Sequence, residues 1–485
     1  MRARHAAFVC LLSLASCDLG PDYSRPAAEF SPAFRASDAT AAAAWPAPEW
    51  WREFGSPELD ALIAEAHGKN LDIAASVARV RQADAQLRIA GAALLPSLGA
   101  SGQASWRQAA LPGGRGLGDA RQYGLGLDVG YEIDFWGKNR AAEAAAQANA
   151  AFSRFDQQTV ALTVTTGVAT TWFTALALRD RLDVAARNLA DAEQTLRVIR
   201  GRATAGTASA LDVAQQEALV AGVRAQTPNL RNQLEQALIG LGILTGRMPA
   251  AMTVRPGTLA RLQRPAVAPG LASELLARRP DVAAAEAQLI AANADIKQAR
   301  AAFFPAIQLT GSGGVQSVAL SSLVGPGAVV GALAAGLTQP IFDGGTLRGR
   351  LEQAKARYEE LVADYRKTVL QAFTDADLAL TARHFSGEQE ALLREAVARA
   401  QRAADIARAQ LRAGTVDLLA VLQTQTILYS DQDALAQARQ AQFLSVVSLY
   451  KALGGGWTQA DVLSGGLNPG RVEGGIALPV GENLR

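Results

Sequence analysis

Cysteine is nearly absent from this 485-residue chain: Cys10 and Cys17 are its only two, both near the start. The body of the protein therefore has no disulfide and no thiolate metal site. Histidine occurs three times, at His5, His67 and His384. The last two stand singly in helical, charged stretches and read as solvated side chains, and a histidine-based zinc centre would need clustered ligands. Charge is scarce as well, at 19% of residues against ~25% in an ordinary soluble domain, which leaves room for surface facing something other than water. Neither sign dominates: 47 basic against 45 acidic side chains give a net charge of +2, with no basic run after the first five residues. Nucleic acid has no electrostatic reason to bind. There is no Gly-x-Ser-x-Gly elbow and no Gly-x-Gly-x-x-Gly turn. Gly130 to Gly137-Lys138-Asn139 comes near a phosphate loop, but six residues separate the glycines where four are needed, and Asn139 cannot supply the magnesium-binding hydroxyl. No cofactor, resident metal or enzyme signature is left. A hydrophobic share of 49% excludes wholesale disorder.

What is present begins with an address. Met1 to Arg4 is basic, Ala6 to Leu14 is apolar and too short to span a bilayer, and Leu14-Ala15-Ser16-Cys17 follows. This is an export signal of residues 1–16. The four residues ending at Cys17 resemble a bacterial lipobox, which implies diacylglycerol on the Cys17 sulfur and an acylated new amino terminus. Asp18 resembles the enteric signal that retains lipoproteins in the inner membrane, which an outer-membrane barrel would override. Residues 17–56, rich in Pro and Ala, are expected to run extended along the surface as a lipidated segment.

The remainder repeats itself with an offset close to 208 residues, Gly206 answering Gly414. Asn70-Leu71-Asp72-Ile73-Ala74 answers Arg279-Pro280-Asp281-Val282-Ala283, and Leu95-Pro96 answers Phe304-Pro305. Phe135-Trp136-Gly137 answers Phe342-Asp343-Gly344, and Leu211, Val213 and Gln215 answer Leu419, Val421 and Gln423. The repeats are assigned to 57–247 and 271–457, with a Pro-rich joint at 248–270 and a loose Gly/Pro-rich tail at 458–485.

Within each half the hydrophobic period changes in the same order. Residues 71–95 read as a helix ended by Pro96. The period then becomes two: Leu98, Ala100, Gly102, Ala104 and Trp106 share one face, and after a Gly-rich loop Tyr123, Leu125, Leu127, Val129, Tyr131, Ile133 and Phe135 alternate with Gly126, Asp128 and Gly130. The second half repeats the strand pair through Ile307, Leu309 and Val315, then Val329, Leu333, Leu337 and Ile341. Residues 301–342 carry no charge, but glycines interrupt them and Gln308, Thr310 and Ser312 alternate, so strands are predicted rather than a membrane helix. Long proline-free helices follow, Lys138 to Arg202 and Thr346 to Arg412, each reaching ~100 Å at 1.5 Å per residue. Leu347, Leu351, Ala354, Tyr358, Leu361 and Tyr365 keep the 3.5-residue period of coiled-coil packing. Gly206-Thr207 and Gly414-Thr415 suit tight turns, after which Leu211–Leu244 and Leu418–Leu453 run back. The expected fold class is therefore an α+β membrane protein, with long coiled-coil helical hairpins and two β-hairpins per chain. Four strands with one apolar face cannot close a barrel, and open edges are not tolerated in lipid, so the chain must oligomerise.

Several motifs in order then resemble one family: Gly20-Pro21-Asp22-Tyr23 with Arg25-Pro26, Trp51-Arg52 with Phe54, Glu132-Ile133-Asp134-Phe135-Trp136-Gly137, Arg279-Pro280-Asp281 with Glu286, Phe304-Pro305, and Pro340-Ile341-Phe342-Asp343-Gly344-Gly345. They resemble the TolC-like outer-membrane efflux proteins, in their NodT-type lipoprotein branch. The resemblance covers Cys17 to about Trp457. It implies a homotrimer with a twelve-stranded transmembrane barrel and a periplasmic α-barrel, in the outer membrane of a Gram-negative bacterium. It also implies docking of the hairpin tips to a periplasmic membrane-fusion adaptor and an inner-membrane resistance-nodulation-division (RND) transporter, with Tyr123, Leu125, Leu127 and Val129 facing lipid. In the family an apolar ring and an acidic ring close the tip. Aligned from Gly414 these fall on Leu419 and Gln423, a basic latch position falls on Thr426, the latch aspartate is Asp212, and its expected arginine position is Val416. The alternative to Asp212 as a latch is a solvated turn residue, like Asp417. The rival functions are a protein-secretion conduit and a non-conducting coiled-coil lipoprotein.

Overall fold

The computed structural model of the protein describes residues 20, 22–27, 34, 45–110, 117–267 and 275–457. The signal, Cys17 and the tail at 458–485 lie outside them. In chain order the main elements are helices α1 (Pro57–Lys69) and α2 (Leu71–Ala92), strands β1 (Ser97–Ala110) and β2 (Leu117–Ile133), helices α3 (Lys138–Thr204), α4 (Ala210–Thr245) and α5 (Pro280–Ala301), strands β3 (Ala306–Ser317) and β4 (Val329–Thr338), and helices α6 (Thr346–Ala413) and α7 (Leu418–Ala452). The chain divides into two compact units, one of residues 1–27, 79–153 and 284–366, the other of 28–78, 154–283 and 367–485.

In the first unit all four strands form one antiparallel sheet of order β1-β2-β3-β4. Leu98 lies opposite Val129, Ala100 opposite Leu127 and Gly102 opposite Leu125, so the alternating residues of β1 and β2 share a face. Pairing of β2 with β3 carries that face across the repeats, Leu125 against Val315 and Ile133 against Ile307. In β4, Val329 and Leu337 continue it. The strand ends differ from the sequence expectation: β1 runs on past Arg107 to Ala110 and β2 begins at Leu117, ahead of Gln122, while two other ends fall short. Ile341 lies beyond β4, which stops at Thr338 ahead of Pro340, a residue with no N–H for the ladder. Phe135 lies beyond β2 in a turn whose amide donates to the Ile133 carbonyl at 2.8 Å.

Each strand pair is joined to its long helix by an aspartate. Asp134 accepts from the amides of Asn139 and Arg140, both at 2.9 Å, and Asp343 accepts from Gly345 and Leu347 at 2.9 and 2.7 Å. These bonds satisfy amides that a helix start leaves open. Backbone donation, from Leu347 first and then Gly345, holds the Asp343 carboxyl below its ordinary range. Trp136 stacks on Phe304 with centroids 4.6 Å apart and donates its indole N–H to the Pro305 carbonyl at 2.9 Å, so two of the motifs meet in space. Along α6 the 3.5-residue stripe ends in the buried Leu361 and Tyr365. Arg25 forks onto Glu286 at 2.7 and 2.6 Å beside the Tyr23 hydroxyl at 3.3 Å.

The second unit is helical. Ser56 caps α1 and Pro57 occupies its first turn. Asn70 is buried and accepts from Asp72 and Ile73 at 2.9 and 3.1 Å, which starts α2, while its amide donates to the Leu244 carbonyl at 2.9 Å. Helix α3 is long and apolar enough to cross a membrane by length and composition, but its Val168, Trp172, Phe173 and Leu176 are buried in the chain itself. Here the expectation of an extended surface run up to residue 56 fails. Trp50–Phe54 is a turn of 3-10 helix, and both end residues are 0% exposed. Trp50 stacks on Tyr450 at 4.5 Å, Phe54 meets Phe173 edge-on at 4.8 Å, and Phe173 stacks on Phe443 at 4.9 Å. Aromatic burial, with about 0.5–1.5 kcal/mol per ring pair beyond area, outweighs the Pro/Ala-rich surroundings. His67 is likewise not simply solvated: its Nε2 lies 2.7 Å from Thr165 Oγ1 and its ring stands edge-on to Trp51.

The 248–270 joint is packed where described. Met252, Val254, Leu259 and Val267 are buried. Arg264 forks onto Glu390 at 2.6 and 3.0 Å, and Arg394 adds a bond at 2.8 Å. Burial alone would raise the Glu390 carboxyl, but Arg264 and Arg394 hold it below its ordinary range. Arg279 forks onto Asp281 at 2.9 and 2.6 Å and reaches Asp375 at 3.0 Å and the Ala452 carbonyl at 3.4 Å. Its guanidinium is 9% exposed, the two aspartates about a third. Breaking a fully buried pair costs about 3–5 kcal/mol, so Arg279→Ala is expected near the lower end, about 3 kcal/mol. Denaturation of the detergent-purified variant measures it. A loss no larger than that of Arg357→Ala, whose pair with Glu360 is solvated, would show that the fork adds nothing.

Candidate functional site

Two regions hold the residues singled out by sequence. In the sheet, Leu125, Leu127 and Val129 project from one face, Leu127 54% and Leu333 of β4 94% exposed. Tyr123 lies on the same face opposite Ala104 and is half-buried. A broad unpartnered apolar surface of this kind is unusual on a water-facing sheet. The opposite face is small and polar. Ser101 Oγ donates to Asp128 Oδ2 at 2.8 Å and Ser97 Oγ to the Gly130 carbonyl at 3.2 Å. A groove of about 580 Å³ runs along it between Gly99, Asp128, Gly130, Thr310, Ser312 and Ala332, so this face is the concave one.

The hairpin tips are built alike in both repeats. Gly206 and Gly414 adopt φ of 75° and 74°, the left-handed region where a side chain would clash. Thr207 donates its amide to Arg202 O at 2.8 Å and Gly206 to Ala203 O at 3.0 Å; Thr415 and Gly414 repeat this onto Gln410 at 3.0 Å and Leu411 at 3.1 Å. This paired bonding is the Schellman ending of a helix. Each hydroxyl adds a bond to the same carbonyl, Thr207 to Arg202 at 3.1 Å and Thr415 to Gln410 at 3.2 Å. The return helices are capped by Ser209 and Asp417.

Asp212 completes the cap of α4. Its Oδ2 accepts from the Ser209 amide at 2.7 Å and hydroxyl at 2.8 Å, while its own amide donates to Ser209 Oγ at 3.1 Å. These two donors pull the carboxyl below its ordinary range. The Asp212 carboxylate is thus engaged within its own turn, as is Asp417 through the Ala420 amide at 3.1 Å. On α7, Leu419, Gln423 and Thr426 form one exposed stripe, and Leu418, Val421, Gln425 and Leu428 form the buried one. Thr426 Oγ1 turns back onto the Leu422 carbonyl at 2.8 Å.

Sequence reasoning missed the polar cluster behind that stripe. Asp191 of α3 pairs with Arg408 of α6 and accepts from Gln425 at 3.1 Å and from the Tyr429 hydroxyl at 2.7 Å. Gln425 also donates to Thr195 Oγ1 at 3.0 Å. Burial first, and then the Asp191 carboxylate, raises the Tyr429 hydroxyl far above its ordinary range. Arg202 of α3 reaches across to the Leu411 carbonyl at 2.9 Å. Partners more than 200 positions apart leave no local signal. Among the described residues no group of three or more His, Cys, Asp or Glu is placed to hold a metal.

A model of the outer membrane efflux protein family matches residues 62–247 and 271–455. The pyoverdine export outer membrane protein OpmQ of Pseudomonas aeruginosa is 43% identical over 421 residues, 85% of this chain and 88% of that protein. The cation efflux system protein CusC of Escherichia coli O157:H7 is 30% identical over 461 residues, 93% of this chain and 98% of that one. The open-state structure of the Neisseria gonorrhoeae MtrE outer membrane channel superposes with a TM-score of 0.83 at 30% identity, covering 91% of this chain and 98% of that one. With the α+β channel fold and a match over both repeats, this chain belongs to the outer membrane efflux protein family, whose members form channels in the Gram-negative outer membrane.

Proposed function

We propose that the chain is the outer-membrane channel subunit of a tripartite RND-type efflux pump, conducting small molecules passively and performing no catalysis. The observation that carries this is the four-stranded sheet with an exposed apolar face and a small polar, concave one. Among the described residues no strand pairs with its β1 and β4 edges, and hydrocarbon offers edge groups no partner. Three copies would pair those edges into a twelve-stranded barrel, the apolar faces toward lipid and the concave faces around a lumen. The helical hairpins would extend into the periplasm. Their tips at Gly206-Thr207 and Gly414-Thr415 would meet a membrane-fusion adaptor, and the transporter would supply the energy. The relatives named for pyoverdine export and for cation efflux suggest unlike cargoes on one fold, as suits a conduit filled by its pump. A protein-secretion conduit is disfavoured by that kinship.

Bilayer recording tests the reading. The exposed Leu419, Gln423, Thr426 stripe would ring the tip. A neutral glutamine ring lacks the field that attracts cations, so divalent ions should block the tip little. Gln423→Asp should add cation selectivity, and Leu419→Ser should raise open probability at unchanged barrel assembly. No conductance from the purified oligomer would sink the channel reading; no change in Gln423→Asp would misplace the gate alone.

Arginine on a barrel's lipid face costs about 2–4 kcal/mol at the bilayer midplane. Leu127→Arg should therefore impair assembly into membranes more than Asp128→Arg, read by native mass spectrometry in detergent. Equal damage would contradict the facing.

Lipidation at Cys17 is part of the proposal. Intact-mass spectrometry should find a mature chain starting there with acyl chains attached; a bare thiol would end that part.

A further inference from the structure

On the concave face of the sheet, electric charge is confined to very few places. Among the described residues, Arg107 lies at one end, Glu132 at the other, and between them Asp128 is the one ionisable side chain on that face. Glu132 is neutralised by Lys138 at 2.5 Å. Arg107 stands eight residues along β1 from Gly99, the residue opposite Asp128, which at ~3.4 Å per residue is about 27 Å. That exceeds the ~10 Å Debye length at 0.1 M salt, so Arg107 does not cancel the Asp128 field there.

The surroundings of Asp128 also leave its carboxylate standing clear. Its neighbours across the strands are Gly99 and Ser312, Ala332 follows on β4, and Gly126 and Gly130 flank it on its own strand. None carries a longer side chain. Ser101 steadies one carboxylate oxygen at 2.8 Å, and the 580 Å³ groove opens at this level.

We propose that Asp128 is the residue by which this conduit discriminates charge, a cation-preferring level inside the β-barrel rather than at the hairpin tip. The proposal rests on the channel reading above. In a closed oligomer each subunit would add one carboxylate to the same level of a low-dielectric wall, where like charges focus the potential in the lumen. Hydrated cations and cationic organic solutes would be favoured over anions of the same size. The neutral Gln423 position leaves this contribution unmasked.

The test is the reversal potential of the full-length purified protein in a planar bilayer across a KCl gradient near 0.1 M. The unmodified channel should show a cation preference that declines as salt rises and the Debye length shrinks to ~3 Å at 1 M. Asp128→Asn and Asp128→Ser should both bring the reversal potential to zero at unchanged oligomer mass, and Asp128→Arg should reverse its sign. The two neutral variants guard against one failing to assemble. A conducting unmodified channel with no cation preference, or neutral variants that keep it, would overturn the assignment of Asp128 while leaving the channel reading intact. Absence of any conductance would overturn both.

Discussion

Open sheet edges govern what this protein can be. A strand edge facing hydrocarbon leaves a row of N–H and C=O groups without partners, at several kcal/mol each, so an open sheet cannot sit in a bilayer alone. Pairing of β2 with β3 joins the strand pairs of the two repeats into one sheet, so two edges remain per chain, where separate hairpins would expose four. That pairing also keeps one apolar face continuous across four strands. The wide exposed surface of Leu98, Leu127, Leu333 and Leu337, a defect on a soluble protein, follows from the same constraint.

Defined starts and stops bound each long helix. Asp134 and Asp343 each fix a helix start at the end of a strand pair. At the far ends, Schellman turns at Gly206 and Gly414 satisfy carbonyls that the helix itself cannot. Asp191 then ties α3 to α6 and α7 with one carboxylate. Buried Gln216 donates to the Ala192 carbonyl at 2.9 Å and buried Gln425 to both Asp191 and Thr195, yet their side-chain oxygens have no partner. The bonds that are made, above all those on Asp191, make the packing between these helices costly to rearrange, because breaking one would leave a buried donor or charge without a partner. The stripe of Leu419, Gln423 and Thr426 is consequently presented on a helix whose other face is firmly held.

The middle of the helical unit depends on residues outside the two repeats. Trp50 and Phe54 from the N-terminal segment fill the aromatic cluster, and Tyr450 donates to Glu53 at 2.8 Å. The joint between repeats is bound through Arg264 and Glu390, 2% exposed. Segments that look like connectors are therefore structural members.

The sequence by itself determined the class of the protein. Period-two alternation in residues 97–107 and 122–135, repeated more weakly from Ile307 to Val315 and from Val329 to Ile341, gave both strand faces, because side chains on a strand must alternate whatever the surroundings. The Gly-Thr turns and the proline-free runs placed the helical hairpins, since local backbone preferences act without tertiary help. Asp212 was legible only as a choice between latch and turn residue; its bonds to Ser209 put its carboxylate in the turn. Tertiary structure alone decided the pairing of β2 with β3, the burial of Trp50 and Phe54, the stacking of Trp136 on Phe304, and the Asp191 cluster. These join residues far apart in the chain, and no local period or motif encodes which distant surface a side chain will meet. A Pro/Ala-rich stretch reads as extended until a matching aromatic cavity exists to receive its rings, and that cavity is made by helices which close only when the chain has folded.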